Sequence, residues 1–258
     1  MKIKLLFNSD NEYIILPIHH NYLLQSMFYN NLPTPLANFL HEIGFFYYKR
    51  QFKLFTFSKI QSKYFELIRE KSKITKIKYK TPITIFISSA INDFTKNWGE
   101  TFLKKENIFL GKNPLYLESI EVLQNPYFEE DFIIKTLSPI TAYKTFENGK
   151  KYYRYYSPSE PEFQYLIKEN LRKKFEIITG EEISEFPIEI QPIKTKKVLF
   201  KYKDFPIEAY EGTFKIKTIP ELFKTVYDAG LGAKNSQGFG MVEILNNTIK
   251  REKYVDSY

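Results

Sequence analysis

The stretch from residue 230 to residue 240 reads Gly230-Leu231-Gly232-Ala233-Lys234-Asn235-Ser236-Gln237-Gly238-Phe239-Gly240 and holds four of the ten glycines of the chain. It connects a predicted helix, which ends at Gly230, to a predicted strand over residues 241–245. Successive backbone N–H groups in such a loop can form a concavity that binds an anion, and Lys234 adds a positive charge. A glycine-rich connection that only lets a helix and a strand pack closely would have the same composition. Both interpretations stay open on this stretch alone.

Two well-known phosphate-binding loops do not fit this stretch. A P-loop needs Gly-Lys-Ser/Thr at a fixed distance from its first glycine, and that pattern is missing here. A dinucleotide-binding loop follows a strand and precedes a helix, whereas this loop does the opposite. The glycine pattern therefore does not predict a nucleotide cofactor.

The first half of the chain contains a predicted succession of strands and helices. Strands are predicted at 1–7, 52–58, 76–80, 84–87 and 117–123, and helices at 21–31, 34–43 and 91–105, while residues 61–73 fit either. Thr34 suits the N-cap of the second helix, and Gly44 suits the position just after its end. In the strand at 52–58, alternation places Lys53 on one face with Phe55 and Phe57.

The second half repeats this succession. Strands are predicted at 132–137, 188–190, 198–202, 214–217 and 241–245, and helices at 161–175 and from residue 218 to Gly230. Asn148-Gly149 between two β-prone runs predicts a hairpin turn. Thr218 and Glu221 form a capping box at the start of the last helix. The boundary between the halves is predicted at residues 124–128, where Asn125-Pro126 signals a turn.

Strand–helix–strand–strand–helix–strand, found twice, is the ferredoxin-like pattern. We therefore predict an α+β protein of two tandem ferredoxin-like (RRM-like, βαββαβ) domains, residues 1–125 and 126–258. The open sheet face of this fold is a common platform for nucleic acid. Fold alone does not determine function.

Composition narrows the class of protein. The chain has 258 residues, no cysteine and a net charge of +8. The absence of cysteine excludes disulfides, thiolate nucleophiles and cysteine-bound zinc, and no apolar run approaches the roughly 20 residues of a membrane span. We expect a cytoplasmic protein without a membrane partner. The positive charge suits nucleic acid, although lysine-rich drift in an AT-rich genome would produce the same balance.

The glycine pattern resembles a known family. Two Gly-hydrophobic-Gly units separated by five residues that include a lysine, near the C-terminus, resemble the signature loop of the RAMP superfamily of CRISPR-associated RNA-binding proteins. Residues 16–29, Phe39-Leu40-His41-Glu42, residues 52–58 and Leu137-Ser138-Pro139-Ile140 are similar to the repeat-cleaving endoribonuclease branch of that superfamily.

The resemblance implies a chemistry and a set of residues. That branch cuts CRISPR repeat RNA in precursor CRISPR RNA without a metal or cofactor. The 2′-hydroxyl attacks the neighbouring phosphate and leaves a 2′,3′-cyclic phosphate and a 5′-hydroxyl. Such cleavage needs a base, an acid and positive charge at the transition state. The Tyr–His–Lys pattern of the branch falls on Tyr29, His41 and Lys53.

The residues themselves are compatible with these roles. His41 lies off the apolar face of its predicted helix, in the last turn, where the helix dipole favours an imidazolium. Lys49 and Arg50 could contact the phosphate in place of Lys53. The phenol of Tyr29 is a poor base at neutral pH, so it could instead orient the reacting groups.

Further residues are predicted to contact RNA. They are the loop residues Gly230, Gly232, Lys234, Asn235, Ser236, Gly238 and Gly240, together with Lys49, Arg50 and His20, although a structural role for His20 fits equally well. Three segments interleave lysines with aromatic residues: residues 76–80, 150–155 and 194–203. No metal site is predicted.

Two alternatives to the endoribonuclease stay open. One is a non-catalytic RAMP protein that holds guide RNA within a CRISPR effector complex, and the other is an RNA-binding module unrelated to CRISPR. An effector complex is also a possible recipient of the cleaved RNA. The sequence fits a monomer or a homodimer.

Overall fold

The structure is a computed structural model that describes residues 1–127, 130–183, 185, 187–202 and 205–245. Its first half contains, in chain order, β1 (Lys2–Asn8), β2 (Tyr13–Pro17), α1 (Asn21–Asn30), α2 (Thr34–Asn38), β3 (Phe45–Tyr47), β4 (Arg50–Phe52), β5 (Phe55–Phe57), β6 (Gln61–Ser62), β7 (Phe65–Glu70), β8 (Lys73–Lys80), β9 (Ile83–Ser89), α3 (Asn92–Lys104), β10 (Ile108–Leu110) and β11 (Asn113–Leu123).

The second half follows after a short connection. It contains β12 (Asp131–Thr136), β13 (Tyr143–Asn148), β14 (Lys150–Tyr155), α4 (Pro161–Thr179), β15 (Ile188–Tyr202), β16 (Phe205–Thr218), α5 (Pro220–Ala229) and β17 (Val242–Ile244). The predicted boundary at 124–128 falls in the connection between β11 and β12. Phe128, Glu129 and residues 246–258 of the predicted second domain lie outside the described residues.

The two halves have the same sheet topology. The main sheet of the first half has the order β11-β1-β9-β5, with β10 at the outer edge, and all of these neighbours are antiparallel. The sheet of the second half has the order β17-β12-β16-β15. In both, the fourth, first, third and second strands of a βαββαβ unit lie side by side. The prediction of two tandem ferredoxin-like domains is confirmed.

Period-2 burial explains why these segments form sheets. In β1 the side chains of Ile3, Leu5 and Phe7 are buried on one face, and in β9 Ile83 and Ile85 are buried beside them. Helices α1 and α3 cover this face. The indole N–H of Trp98 in α3 donates to the carbonyl of Phe28 in α1 at 2.8 Å, so the one tryptophan joins the two helices inside the core.

The second core is built in the same way. Phe132 and Ile134 of β12 and Phe214 and Ile216 of β16 face the apolar stripes of α4 and α5. On α4 the buried positions are Phe163, Ile167, Leu171, Lys174 and Phe175. Within the described residues, no helix is long and apolar enough to cross a membrane.

Both predicted N-terminal caps are wrong, whereas Gly44 does lie just after the helical residues, as predicted. Thr34 is already the first residue of α2, because Pro33, with φ −52° and ψ 138°, occupies the non-helical position before it. The Thr218 hydroxyl donates to the carbonyl of Pro187 at 2.6 Å, and α5 begins two residues later at Pro220. In the second case a tertiary hydrogen bond takes the group that the capping box would have used.

Three strand predictions also change. The strand predicted at 52–58 is interrupted at Leu54, which has φ +54°, so Lys53 does not share a strand face with Phe55 and Phe57. The strands predicted at 188–190 and 198–202 are one long strand, β15, paired along its length with β16. The ambiguous residues 61–73 form β6 and β7.

Candidate active site

His41 lies in a π-helical turn, Phe39–Ile43, that continues helix α2. The backbone N–H of Gly44 closes this turn by donating to the carbonyl of Phe39 at 2.6 Å. Leu40 is completely buried, whereas the side chain of His41 is exposed. Single π-helical turns are rare and occur often at functional sites. Leu40 thus anchors the turn in the core, and the imidazole of the next residue, His41, is exposed to solvent.

Tyr29 lies in the last turn of α1, next to His41. The two rings are nearly perpendicular, with 6.2 Å between their centroids, and the other neighbour of Tyr29 is Phe55 at 5.9 Å. Burial, with a smaller contribution from Tyr202, raises the pKa of Tyr29 to about 12. Its phenol is therefore protonated at neutral pH and is able to donate a hydrogen bond.

Lys53 lies directly after β4 and reaches back to the same turn. Its ammonium group donates to the backbone carbonyl of His41 at 3.1 Å, and partial burial lowers its pKa. A β-carbon added at Gly44 would lie 3.1 Å from Nζ of Lys53 and 2.7 Å from the carbonyl oxygen of Phe52. Gly44 has φ +60°, so both its backbone conformation and the nearby Phe52 carbonyl require a glycine.

The predicted trio is therefore brought together by the fold. The ring of Tyr29 contacts the ring of His41, and Lys53 binds the backbone of His41. The three side chains come from the end of a helix, a π-helical turn and an inter-strand connection. Their roles in catalysis stay predictions.

A groove between the two domains begins at Lys53. It has a volume of about 690 Å³. The polar and charged residues that line it include Arg50, Gln51, Lys53, Lys144, Asn170, Lys174, Lys234, Asn235, Ser236 and Gln237. Arg50 belongs to the β3–β4 hairpin, and the exposed Lys49 lies at the turn of that hairpin, outside the groove lining. The groove therefore brings cations from both domains along one path.

The backbone of the glycine-rich loop is largely used within the protein. Six of its N–H groups, those of Gly230, Leu231, Ala233, Gln237, Gly238 and Gly240, donate to carbonyls of the chain. At Gly240 an added β-carbon would lie 1.9 Å from the carbonyl oxygen of Leu231, and at Gly238 it would lie 2.4 Å from the ring of Phe57. The loop thus packs tightly against both domains. This agrees with the interpretation that its glycines allow a helix and a strand to pack closely.

Lys174 of α4 binds the glycine-rich loop through three hydrogen bonds. Its completely buried ammonium group donates to the carbonyls of Gly230 and Gly232 at 2.7 and 3.0 Å and to Oδ1 of Asn235 at 2.6 Å. Burial lowers the pKa of Lys174 to about 7. Nδ2 of Asn235 donates back to the carbonyls of Leu231 and Phe239. The Asn235 side chain is buried by these contacts and exposes little surface to a ligand. Its predicted contact with RNA stays a prediction.

The spacing of apolar residues in the sequence indicates that Lys174 is buried. At 100° per residue, Lys174 falls inside the apolar stripe of Phe163, Ile167 and Leu171 on α4. A lysine in the middle of such a stripe is buried, and a buried ammonium group requires several oxygen partners. A loop rich in glycine, with accessible carbonyls, is a suitable source of them.

Three side chains of the loop face the groove instead of the core. They are Lys234, Ser236 and Gln237. Lys234 has φ +59°, and its ammonium group lies 4.8 Å from the ring centroid of Tyr143 and 5.8 Å from that of Tyr153. Burial lowers the pKa of Lys234. Of the predicted loop residues, Lys234 and Ser236 therefore have the positions best suited to a bound phosphate.

His20 occupies a structural position. It is 8% exposed, its Nδ1 is 3.0 Å from the carbonyl of Pro17, and its ring packs edge-on against Tyr79. Burial lowers the pKa of His20 to about 4. This environment favours the structural role that the sequence left open.

All three lysines of the predicted segment 76–80, and one lysine of the predicted segment 194–203, form ion pairs. Lys76, Lys78 and Lys80 pair with Glu70, Glu66 and Glu12, and Lys197 pairs with Glu208. Lys203 lies outside the described residues. Among the residues that the structure describes, no group of three or more His, Cys, Asp or Glu side chains could hold a metal ion.

Comparison with known proteins shows which family has this sequence and architecture. A family model described as CRISPR-associated protein Cas6, N-terminal, matches residues 15–121, and one described as CRISPR associated protein Cas6, C-terminal, matches residues 123–244. A relative from Methanocaldococcus jannaschii, named CRISPR-associated endoribonuclease Cas6 1, is 31% identical over 257 residues, which cover 98% of this chain and 96% of the relative. The chain belongs to the Cas6 family.

Two further comparisons extend over most of the chain. The CRISPR-associated endoribonuclease Cas6 of Pyrococcus furiosus is 30% identical over 240 residues, which cover 92% of this chain and 86% of that protein. A solved structure of a Cas6-related protein from the same organism superposes with a TM-score of 0.83 at 24% identity and covers 95% and 98% of the two chains. The resemblance seen in the sequence is thus confirmed as Cas6 membership.

Removing the buried charge under the loop tests the packing described here. We expect Lys174→Met to lower the free energy of unfolding by about 3 kcal/mol or more, because three buried acceptors lose their donor at about 1–3 kcal/mol each. The measurement is urea unfolding followed by circular dichroism. Lys168→Met, on the same helix but partly exposed, is the control and should stay within about 0.5 kcal/mol of wild type. Equal stability of the two variants would contradict the role given to Lys174.

Proposed function

We propose that this chain is an endoribonuclease that binds CRISPR repeat RNA and cleaves it without a metal ion. The observation that carries the proposal is the cluster of Tyr29, His41 and Lys53 at the start of a cationic groove. The names of its Cas6 relatives describe the same activity in those proteins. The products are RNA ends with a 2′,3′-cyclic phosphate and a 5′-hydroxyl.

The bond changes define what each side chain does. The 2′-oxygen forms a bond to phosphorus, its proton passes to solvent, and the bond from phosphorus to the 5′-oxygen breaks. His41 is exposed, and its backbone carbonyl binds Lys53 of the groove lining; it is the general acid that gives a proton to the departing 5′-oxygen. Lys53 supplies positive charge for the additional negative charge of the transition state.

Tyr29 orients the reacting groups. With a pKa of about 12, its phenol keeps its proton and donates a hydrogen bond. Its contact with the imidazole also fixes the ring plane of His41. The position of Lys53 beside His41 favours it over Arg50 and Lys49 as the contact to the scissile phosphate. Arg50 and Lys234 then bind phosphates farther along the groove.

The alternative is a Cas6-type protein that holds guide RNA without cutting it. The Tyr29–His41 contact argues against this alternative, because a binding subunit needs no exposed imidazole held against a phenol. Catalysis and binding are separated by comparing the cleavage rate at saturating protein with the affinity for RNA.

Loss of the imidazole should slow cleavage. We expect His41→Ala to reduce the single-turnover rate on the repeat of the host's own CRISPR array by about 10²–10⁴-fold, because general acid catalysis is removed. RNA affinity should change little. His19→Ala, which removes a partly buried histidine outside the trio, is the control. A wild-type rate in His41→Ala would assign the acid to another residue.

The nucleophile is tested on the RNA. A 2′-deoxy substitution at the nucleotide just 5′ of the cut should stop cleavage, because no 2′-hydroxyl remains to attack. Cleavage of the unmodified RNA should continue in EDTA. The products are identified by mass spectrometry as cyclic phosphates. A strict requirement for Mg²⁺, or cleavage of the deoxy substrate, is incompatible with this mechanism.

The space at Gly44 should control the position of Lys53. We expect Gly44→Ala to lower the cleavage rate by up to about 100-fold, because the methyl group collides with the Phe52 carbonyl and displaces the neighbouring Lys53 from His41. Gly180→Ala is the control for a positive φ without a collision: Gly180 has φ +75° in the left-handed helical region, and no atom lies within 4 Å of its added β-carbon. Equal rates in both variants would show that the contact between Gly44 and Lys53 has no catalytic effect.

A further inference from the structure

The hairpin formed by β13 and β14 stands apart from the two main sheets. Within the described residues its strands pair with each other in a two-stranded sheet, around a turn at Asn148-Gly149. The pairing register separates its side chains onto two faces. We call the face of Tyr143, Thr145, Tyr153 and Tyr155 the groove face, and the face of Lys144, Phe146, Tyr152 and Arg154 the outer face. Lys144 of the outer face also borders the groove.

Contacts with the glycine-rich loop identify the groove face. The ammonium group of Lys234 lies over the rings of Tyr143 and Tyr153, and both Tyr143 and Thr145 line the groove. Tyr153 packs edge-on against Tyr143, with 5.5 Å between the ring centroids, and is still 39% exposed. An accessible aromatic ring therefore lies beside a lysine at the edge of the groove.

Further cations lie on the groove face and across the groove. The ammonium group of Lys234 lies 5.8 Å from the ring centroid of Tyr153. Lys151 is two residues before Tyr153 on the same face of the hairpin, directly opposite Glu147 of the other strand. Arg50, from the other domain, lines the groove together with Tyr143. Proteins that bind single-stranded RNA combine aromatic rings, which stack on bases, with a cationic path for the backbone.

The outer face lacks this combination. Phe146 and Tyr152 stack on each other, with ring planes 15° apart, so each ring covers the other. Lys144 and Arg154 form ion pairs with Glu162 and Glu160 near the start of α4. The outer face thus offers exposed rings whose neighbouring cations are already neutralised.

We propose that Tyr153 and Lys234 form a subsite for one unpaired nucleotide of the RNA substrate. The base stacks on the ring of Tyr153, and the adjacent phosphate binds the ammonium group of Lys234. This subsite rests on the proposed function and extends it along the groove, away from the cleavage site at His41. The tyrosine accepts any base, because every base has an aromatic face to stack.

The test compares two neighbouring tyrosines on opposite faces of one hairpin. The probe is a fluorescein-labelled RNA that carries the repeat of the host's own array with eight flanking nucleotides on each side, and its affinity is measured by anisotropy over a salt series. We expect Tyr153→Ala to weaken binding by about 5- to 100-fold, as loss of one stacked base does. Tyr153→Phe should bind as wild type does, and so should Tyr152→Ala.

The salt series separates the ring from the charge. Lys234→Ala should reduce the slope of log affinity against log salt by about one phosphate contact. Tyr153→Ala should leave this slope unchanged. If Tyr153→Ala reduces the slope as Lys234→Ala does, the ring only positions the lysine and the stacking proposal is wrong.

Removing bases one at a time from the RNA locates the stacked nucleotide. At one position, an abasic substitution should weaken wild-type binding and have no further effect on Tyr153→Ala. Additive effects at every position, or equal affinities of Tyr153→Ala and Tyr152→Ala, would overturn the subsite and would point to a protein partner for the hairpin. Failure of wild-type protein to bind or cut the repeat would instead overturn the proposed function.

Discussion

The buried ammonium group of Lys174 is the contact on which the arrangement of both domains depends. A charge without water is tolerated only where several partners surround it, and here two loop carbonyls and the Asn235 amide oxygen do so. This contact fixes the glycine-rich loop over α4. The loop in turn meets the first domain, because the Thr56 hydroxyl donates to the carbonyl of Phe239 at 2.8 Å and the Asn21 amide donates to that of Gln237 at 2.9 Å.

The loop therefore has two functions on two sides. Its backbone and glycines pack against both domains, where a side chain at Gly238 or Gly240 would collide with its neighbours. Its polar side chains, including Lys234, face the groove. The packing seen in the structure and the phosphate binding that we propose are compatible, because different atoms of the loop would serve each.

The catalytic candidates depend on local backbone conformations of low intrinsic preference. His41 is presented by a π-helical turn, Gly44 and Leu54 both have positive φ angles, and Lys53 lies between them. Each conformation is held by packing: Leu40 anchors the turn, and the absence of a side chain at Gly44 leaves room for Lys53. Strain of this kind is maintained where the surrounding structure stabilises it, and it is concentrated at functional sites.

The sequence by itself determined the two βαββαβ domains, because burial of one face imposes a period of 2 on strands and 3.6 on helices. Through its resemblance to the repeat-cleaving branch it also singled out Tyr29, His41 and Lys53, which the fold brings together and whose catalytic roles stay proposals. Only the tertiary structure decided where Lys174 donates, that Thr218 bonds Pro187 rather than capping α5, and that Lys53 reaches back to His41. These outcomes depend on partners distant in sequence, and local periodicity contains no information about which of several competing acceptors a side chain will reach.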